Sequence, residues 1–183
     1  MRATIILLFT LLHLNGLAQE RDLVRLASSK VAFASEAPLE MISASTDRSK
    51  GVLDRIERNF AVQVPIVELQ GFNAPLQREH FNENYMVSAQ WPNATFTGRI
   101  IEAVDLLVPG THQVRAKGSL VIRGRAQERV IPCTVEVSAA GIRVRTNFDV
   151  TVADHGILIP RVVQKKVAAV VKVDVDLMFE PPR

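Results

Sequence analysis

The chain has 183 residues, 48% of them apolar, enough for one domain with its own core. Its 22 lysines and arginines face 19 acids, scattered singly with few aromatics between them, which excludes a nucleic-acid-binding stripe. A single cysteine, Cys133, excludes an internal disulfide, so stability must come from the hydrophobic core.

In chain order, the first stretch pairs one basic residue, Arg2, with an apolar run to Leu12 that breaks at His13 and Asn15. Gly16-Leu17-Ala18 then supplies the small residues at which a signal peptidase cuts, so residues 1–18 read as a secretory signal peptide. An uncleaved anchor is the other reading, but the run falls short of the ~20 residues that cross a bilayer. Cleavage would start the mature protein at Gln19, leaving 21 basic residues against 19 acids, a net charge of +2. Residues 19–183 show no repeat, linker or low-complexity tract and read as a single domain.

Beyond the leader, apolar and polar residues alternate with a period of two, which places one apolar face on each strand of a half-buried antiparallel sheet. Weak alternation at residues 30–36, 50–54, 58–65, 94–101 and 127–137 is joined by three strong runs. In the first, Val114, Ala116, Gly118, Leu120 and Ile122 oppose Arg115, Lys117, Ser119 and Arg123. In the second, Ile142, Val144, Thr146, Phe148, Val150 and Val152 oppose Arg143, Arg145, Asn147, Asp149 and Thr151. In the third, Val171, Val173, Val175, Leu177 and Phe179 oppose Lys172, Asp174 and Asp176. A helix, with its period of 3.6, cannot sort these residues onto two faces.

Gly124-Arg125-Ala126 and Ala139-Ala140-Gly141 predict tight hairpins. About eight long, sequentially paired strands without crossover helices favour an antiparallel β-barrel, with a sandwich as the alternative. Two segments interrupt the pattern. Residues 74–86, with Pro75 at the start and Leu76, Phe81 and Tyr85 as apolar positions, predict a short helix. Residues 161–169, after Pro160, predict a further helical turn.

An eight-stranded barrel is either filled by side chains or holds one small ligand. Ala116 and Gly118, at adjacent inward positions, would leave volume in the lumen, while facing phenylalanines could fill it. Both readings stay open from pattern alone.

The order of segments resembles the YceI-like family. The resemblance is carried by Gln77-Arg78-Glu79-His80-Phe81-Asn82-Glu83-Asn84-Tyr85 leading into Trp91-Pro92-Asn93-Ala94-Thr95-Phe96-Thr97-Gly98-Arg99-Ile100. It continues in the strand 114–124, in Ser35-Glu36-Ala37-Pro38-Leu39-Glu40 and Gly51-Val52-Leu53 as an opening hairpin, and in Ile159-Pro160-Arg161-Val162-Val163. It covers roughly residues 28–179, and no single motif in it is catalytic. The resemblance implies an extended, lipocalin-like eight-stranded barrel exported to the bacterial periplasm. Its members bind isoprenoids or fatty-chain amphiphiles in the lumen, and some form homodimers. Arg123 departs from the family, where many relatives carry a histidine before the Gly turn, so no role is carried over to that position.

The candidate lipid-contacting residues are therefore the inward apolar ones: Phe33, Phe60, Val62, Phe96, Ala116, Gly118, Leu120, Phe148, Val150 and Val173. Each is equally readable as ordinary core. His80, Glu83 and Asn84 share one face of the expected helix at i, i+3 and i+4. They are candidate head-group or rim contacts, against the plainer reading of a network that docks the helix. A zinc site from His80, Glu83 and His155 has the residue types but no ligand motif. Cys133, in phase with Ile131 and Val135, reads as a small buried hydrophobe rather than a nucleophile. No nucleophile motif, phosphate loop or dinucleotide fingerprint is present, so neither an enzyme nor a cofactor is expected. The function expected is that of a lipid carrier, with a filled structural barrel as the alternative.

Overall fold

The computed structural model of the chain describes residues 21–181; the expected leader, residues 1–18, lies outside them. Period-two alternation resolves into nine strands among these residues: β1 Leu23–Glu36, β2 Met41–Thr46, β3 Lys50–Asp54, β4 Asn59–Pro65, β5 Asn93–Ile100, β6 Gly110–Ile122, β7 Arg125–Ser138, β8 Gly141–Thr151 and β9 Val170–Phe179. All pairings are antiparallel and mostly sequential, and β1 closes onto β9 from Leu26↔Phe179 to Ala34↔Lys172. The start of β1 pairs with β3 and its end with β2, so β2 and β3 share one position around the wall. The result is a closed eight-strand barrel, the expected architecture; the sandwich alternative falls away. Closure leaves few unpaired edge groups.

The two expected hairpin turns are present. Arg123 and Gly124, with φ of 49° and 71°, connect β6 to β7, one residue earlier than the glycine placement suggested. Two successive positive φ values are what a two-residue hairpin needs to match strand twist. A Cβ on Gly124 would stand 2.3 Å from Trp91 Nε1, so this position of the turn admits no side chain.

One wall is unevenly stitched. β7 pairs with β6 along its whole length but with β8 only from Thr134↔Arg145 to Ser138↔Gly141. The ladder stops beside Pro132, which has no N–H to donate. Beyond it, side chains span the seam: Thr146 Oγ1 donates to the Pro132 carbonyl at 2.7 Å, Arg129 Nη2 to that of Asp149 at 2.6 Å, and Gln127 Nε2 to that of Asp154 at 2.8 Å.

Burial divides the barrel in two along its axis. At the end holding the β3–β4 and β7–β8 turns, Val24, Val114, Val135, Val137, Ile142 and Phe179 form a packed core. Leu106, from the connection between β5 and β6, is completely buried in it. Asp54 secures the turn there, accepting the Ile56 and Glu57 N–H groups at 3.0 and 2.9 Å, beside the Arg55–Asp22 ion pair. The opposite end is built by the chain between strands: residues 37–40, 66–92 and 152–169. There a smaller cluster of Ala44, Ile66, Leu69, Met86 and Ile157 forms, with Phe33, Phe72, Phe81 and Tyr85 against it.

The predicted helix is present in altered form. α1 spans Pro75–His80, with Pro75 in its first turn, and then widens into a π-helical turn over Phe81–Met86. Val87 ends it in the left-handed region at φ 47°. The expected turn after Pro160 is a 3-10 turn over Arg161–Val163.

Candidate functional site

The packed end and the open end enclose a cavity of about 620 Å³. Its floor is the upper layer of the packed core, Leu53, Ile100, Leu177 and Phe179, and its walls are the inward residues of every strand. On β6 it extends from Ala116 to Ile122. At ~3.3 Å per residue that is roughly 20 Å along the strand, and about 15 Å along the axis at the usual barrel tilt. The lining is overwhelmingly apolar, and an apolar cavity of this size falls in the range of small-molecule sites.

Nine of the ten candidate contacts line this one cavity: Phe33, Phe60, Val62, Phe96, Ala116, Leu120, Phe148, Val150 and Val173. Parity along each strand brings them together. Phe60 and Phe96, neighbours across β4 and β5, pair their rings at 5.0 Å and a tilt of 51°. At the open end Phe33 stacks on Phe81 at 5.3 Å, and Phe72 meets both, so three aromatic rings tie β1 to the helical cover.

Gly118 has another role. It faces Gly98 across β5 and β6, and a Cβ there would stand 2.2 Å from the Thr97 carbonyl oxygen and 2.8 Å from Gly98 Cα. The two glycines permit a close approach of backbones, so Gly118 does not line the cavity and its missing side chain leaves no lumen volume. Ala116 does face the space.

The polar rim also differs from expectation. His80 lines the mouth, but Glu83 and Asn84 do not and are exposed. The i, i+3, i+4 argument assumed 3.6 residues per turn, and the π-helical turn beginning at Phe81 carries the next residues around to another face. The mouth is instead organised by Gln77. Its Nε2 donates to Glu40 Oε1 at 2.8 Å, and its Oε1 accepts the Asn73 N–H at 3.0 Å. Asn73 Nδ2 donates to the Met41 carbonyl at 2.9 Å, and Ser35 Oγ accepts the Ala168 N–H at 2.9 Å. Lys166 completes the polar lining of the mouth. Gln77, within the predicted helix, and Asn73, just before it, carried no further signal in sequence, because Glu40 is 37 residues from Gln77 and Met41 is 32 from Asn73.

His155 is almost completely buried, with Nδ1 3.1 Å from the Arg125 carbonyl oxygen, which assigns the proton to Nδ1. Among the described residues no three metal-ligating side chains come together, so His80, Glu83 and His155 form no cluster. Arg123 donates to the Gly156 carbonyl and places its guanidinium 5.7 Å from the Trp91 ring centroid. It clamps the β6–β7 turn to the 152–157 segment and lies outside the cavity lining. Cys133 faces the cavity, and burial pushes its thiol up to about 11. It is thus a neutral, weakly nucleophilic part of an apolar wall.

Among the described residues no helix is long and apolar enough to cross a membrane. None of the curated proteins matches the chain. Among solved structures, a polyisoprenoid binding domain from Saccharophagus degradans, implicated in plant cell wall breakdown, superposes with a TM-score of 0.73 at 17% identity. That match covers 89% of this chain and 100% of that one. BcnA from Burkholderia cenocepacia superposes with a TM-score of 0.68 at 16% identity, covering 81% and 94%. At such identities the likeness is one of fold. Residues 24–179, nearly the whole described barrel, match the model of the YceI-like domain, and the chain belongs to that family.

Proposed function

We propose that the protein is a non-catalytic carrier that holds an isoprenoid or other long-chain amphiphile in its barrel, in the bacterial periplasm. The observation that carries this reading is an apolar cavity of about 620 Å³, closed by a packed floor and with its charged and amide groups gathered at the mouth. Burying an alkyl chain in such a space gains about 0.8 kcal/mol per methylene before ordering costs. A polar head group would rest against Gln77, Glu40, His80 and Lys166, where hydrogen bonds remain available near water. The Saccharophagus neighbour is described as a polyisoprenoid binding domain, which agrees with this reading. The periplasmic assignment rests on the leader-like residues 1–18.

A filled structural barrel would need side chains across the middle of the lumen, where this barrel has open volume. The test is uptake of a long-chain ubiquinone dispersed in detergent, followed by size-exclusion chromatography and quantification of quinone in the protein peak. Co-elution near one quinone per protein supports the carrier reading. Elution of bare protein at saturating quinone rejects it for this ligand class.

A further inference from the structure

The mouth of the cavity is surrounded by exposed apolar side chains, most of which lie outside its lining. Val162 is 91% exposed and Leu158 81%, while Leu39 and Leu76 are each more than half exposed, Leu76 also lining the cavity edge. They come from three separate segments held together at the mouth. The Leu39 N–H donates to the Lys165 carbonyl at 2.9 Å, and Gln77 on α1 reaches Glu40. Ordinary surfaces scatter such residues singly; a group of them around an opening marks an interaction site.

The segment from Leu158 to Val167 has a second property. It carries Arg161, Lys165 and Lys166, all exposed, and no acid. Among the described residues no carboxylate forms an ion pair with these three cations. The same segment turns Ile159, Val163 and Val167 into the cavity. One stretch of chain is therefore continuous with the apolar lumen on one side and presents bulky apolar tips among cations on the other.

We propose that this rim docks the open end of the barrel onto an anionic lipid bilayer, with Leu158 and Val162 entering the interface and Arg161, Lys165 and Lys166 meeting the lipid phosphates. Apolar tips interleaved with lysine and arginine are the composition of surface-seated membrane anchors, in which both terms contribute to binding. Docking by the mouth places the lumen against the acyl layer, so an amphiphile can slide between the two without crossing water. This inference rests on the carrier reading for its purpose, but its geometry is independent of which lipid is held.

The experiment is co-sedimentation with vesicles, using protein expressed with its own leader and purified with its N-terminus sequenced. Phosphatidylglycerol–phosphatidylcholine vesicles are compared with phosphatidylcholine alone. The wild-type protein is expected to sediment with the anionic vesicles and to be released by salt. Each cation near an anionic surface is worth about fivefold in partitioning. The double variant Arg161→Ala, Lys165→Ala is therefore expected to bind on the order of 25-fold more weakly. Leu158→Ser with Val162→Ser is expected to lose vesicle binding while keeping the wild-type thermal midpoint, since both side chains lie in solvent. Equal sedimentation of wild type with neutral and anionic vesicles, or unchanged binding by both double variants, would overturn the proposal. Ubiquinone uptake from detergent, measured on the same samples, separates the two claims. Rim variants that still load quinone but no longer dock support both, whereas docking by a wild type that never loads quinone retains the docking surface and removes the carrier reading.

Discussion

Leu120→Trp places a larger side chain where the account puts the ligand. Leu120 is buried on β6, lines the cavity, and stands opposite Phe96 in the β5 ladder, beside the Phe60–Phe96 ring pair. Tryptophan adds about six heavy atoms, and at about 0.8 kcal/mol per methylene displaced these remove up to about 5 kcal/mol of ligand burial. A flexible chain can shift along the lumen and recover part of this, leaving a loss of about 2–3 kcal/mol, or roughly 30- to 150-fold in affinity. Because the added ring enters open volume rather than packed core, the thermal midpoint should stay close to wild type. The assay is quinone retained per protein after size exclusion, with Lys117→Ala, on the outward face of the same strand, as the control. A folded Leu120→Trp protein that retains quinone at the wild-type ratio would refute the placement of the ligand in this cavity.

Gly118→Ala should destabilise the barrel by roughly 2–3 kcal/mol in urea unfolding, because its Cβ would collide with the Thr97 carbonyl; an unchanged midpoint would contradict the close-approach reading. Phe33→Ala should remove about 2 kcal/mol of stability and speed lipid release, since Phe33 joins β1 to Phe72 and Phe81 over the mouth; stopped-flow release into vesicles reads this. The Cys133 thiol should resist a maleimide in the folded protein at neutral pH and react on unfolding. Its folded value of about 11 lies above the ordinary 9.0, so the unfolded chain loses the proton first. The resulting contribution is intact below pH 9.0 and is lost as pH rises towards 11, in which window Cys133→Ala should flatten the decline in stability.

The long strands were legible because the alternation that sets strand parity is local. Arg115, Lys117 and Ser119 alternate with small or apolar residues, and the same count that fixed the fold class placed Leu120, Phe148 and Val173 around one space. The failures have equally physical origins. β1 begins at Leu23 rather than near Lys30 because a bulge between Leu26 and Ser28 shifts the register. Val24 is buried before it and Val31 and Ser35 after it, so the inward face changes from even to odd positions and no single alternation spans the strand. β2 escaped notice because its inward residues are Ile42, Ala44 and Thr46, a face with little hydrophobic contrast. The glycine at 118 looked like emptied volume because its counterpart, Gly98, is identified only by the register of β5 on β6. Glu83 and Asn84 leave the face of His80 because a π-helical turn replaces the period on which that expectation depended.

The central claim, that the barrel carries a long-chain amphiphile, is most directly tested by native mass spectrometry of the protein purified from a bacterial periplasm, followed by organic extraction. The account predicts a mass above that of the chain by one lipid, lost on unfolding, with an isoprenoid or fatty-chain amphiphile in the extract. A bare mass in a folded protein that also takes up no added polyprenol or long-chain ubiquinone would contradict it.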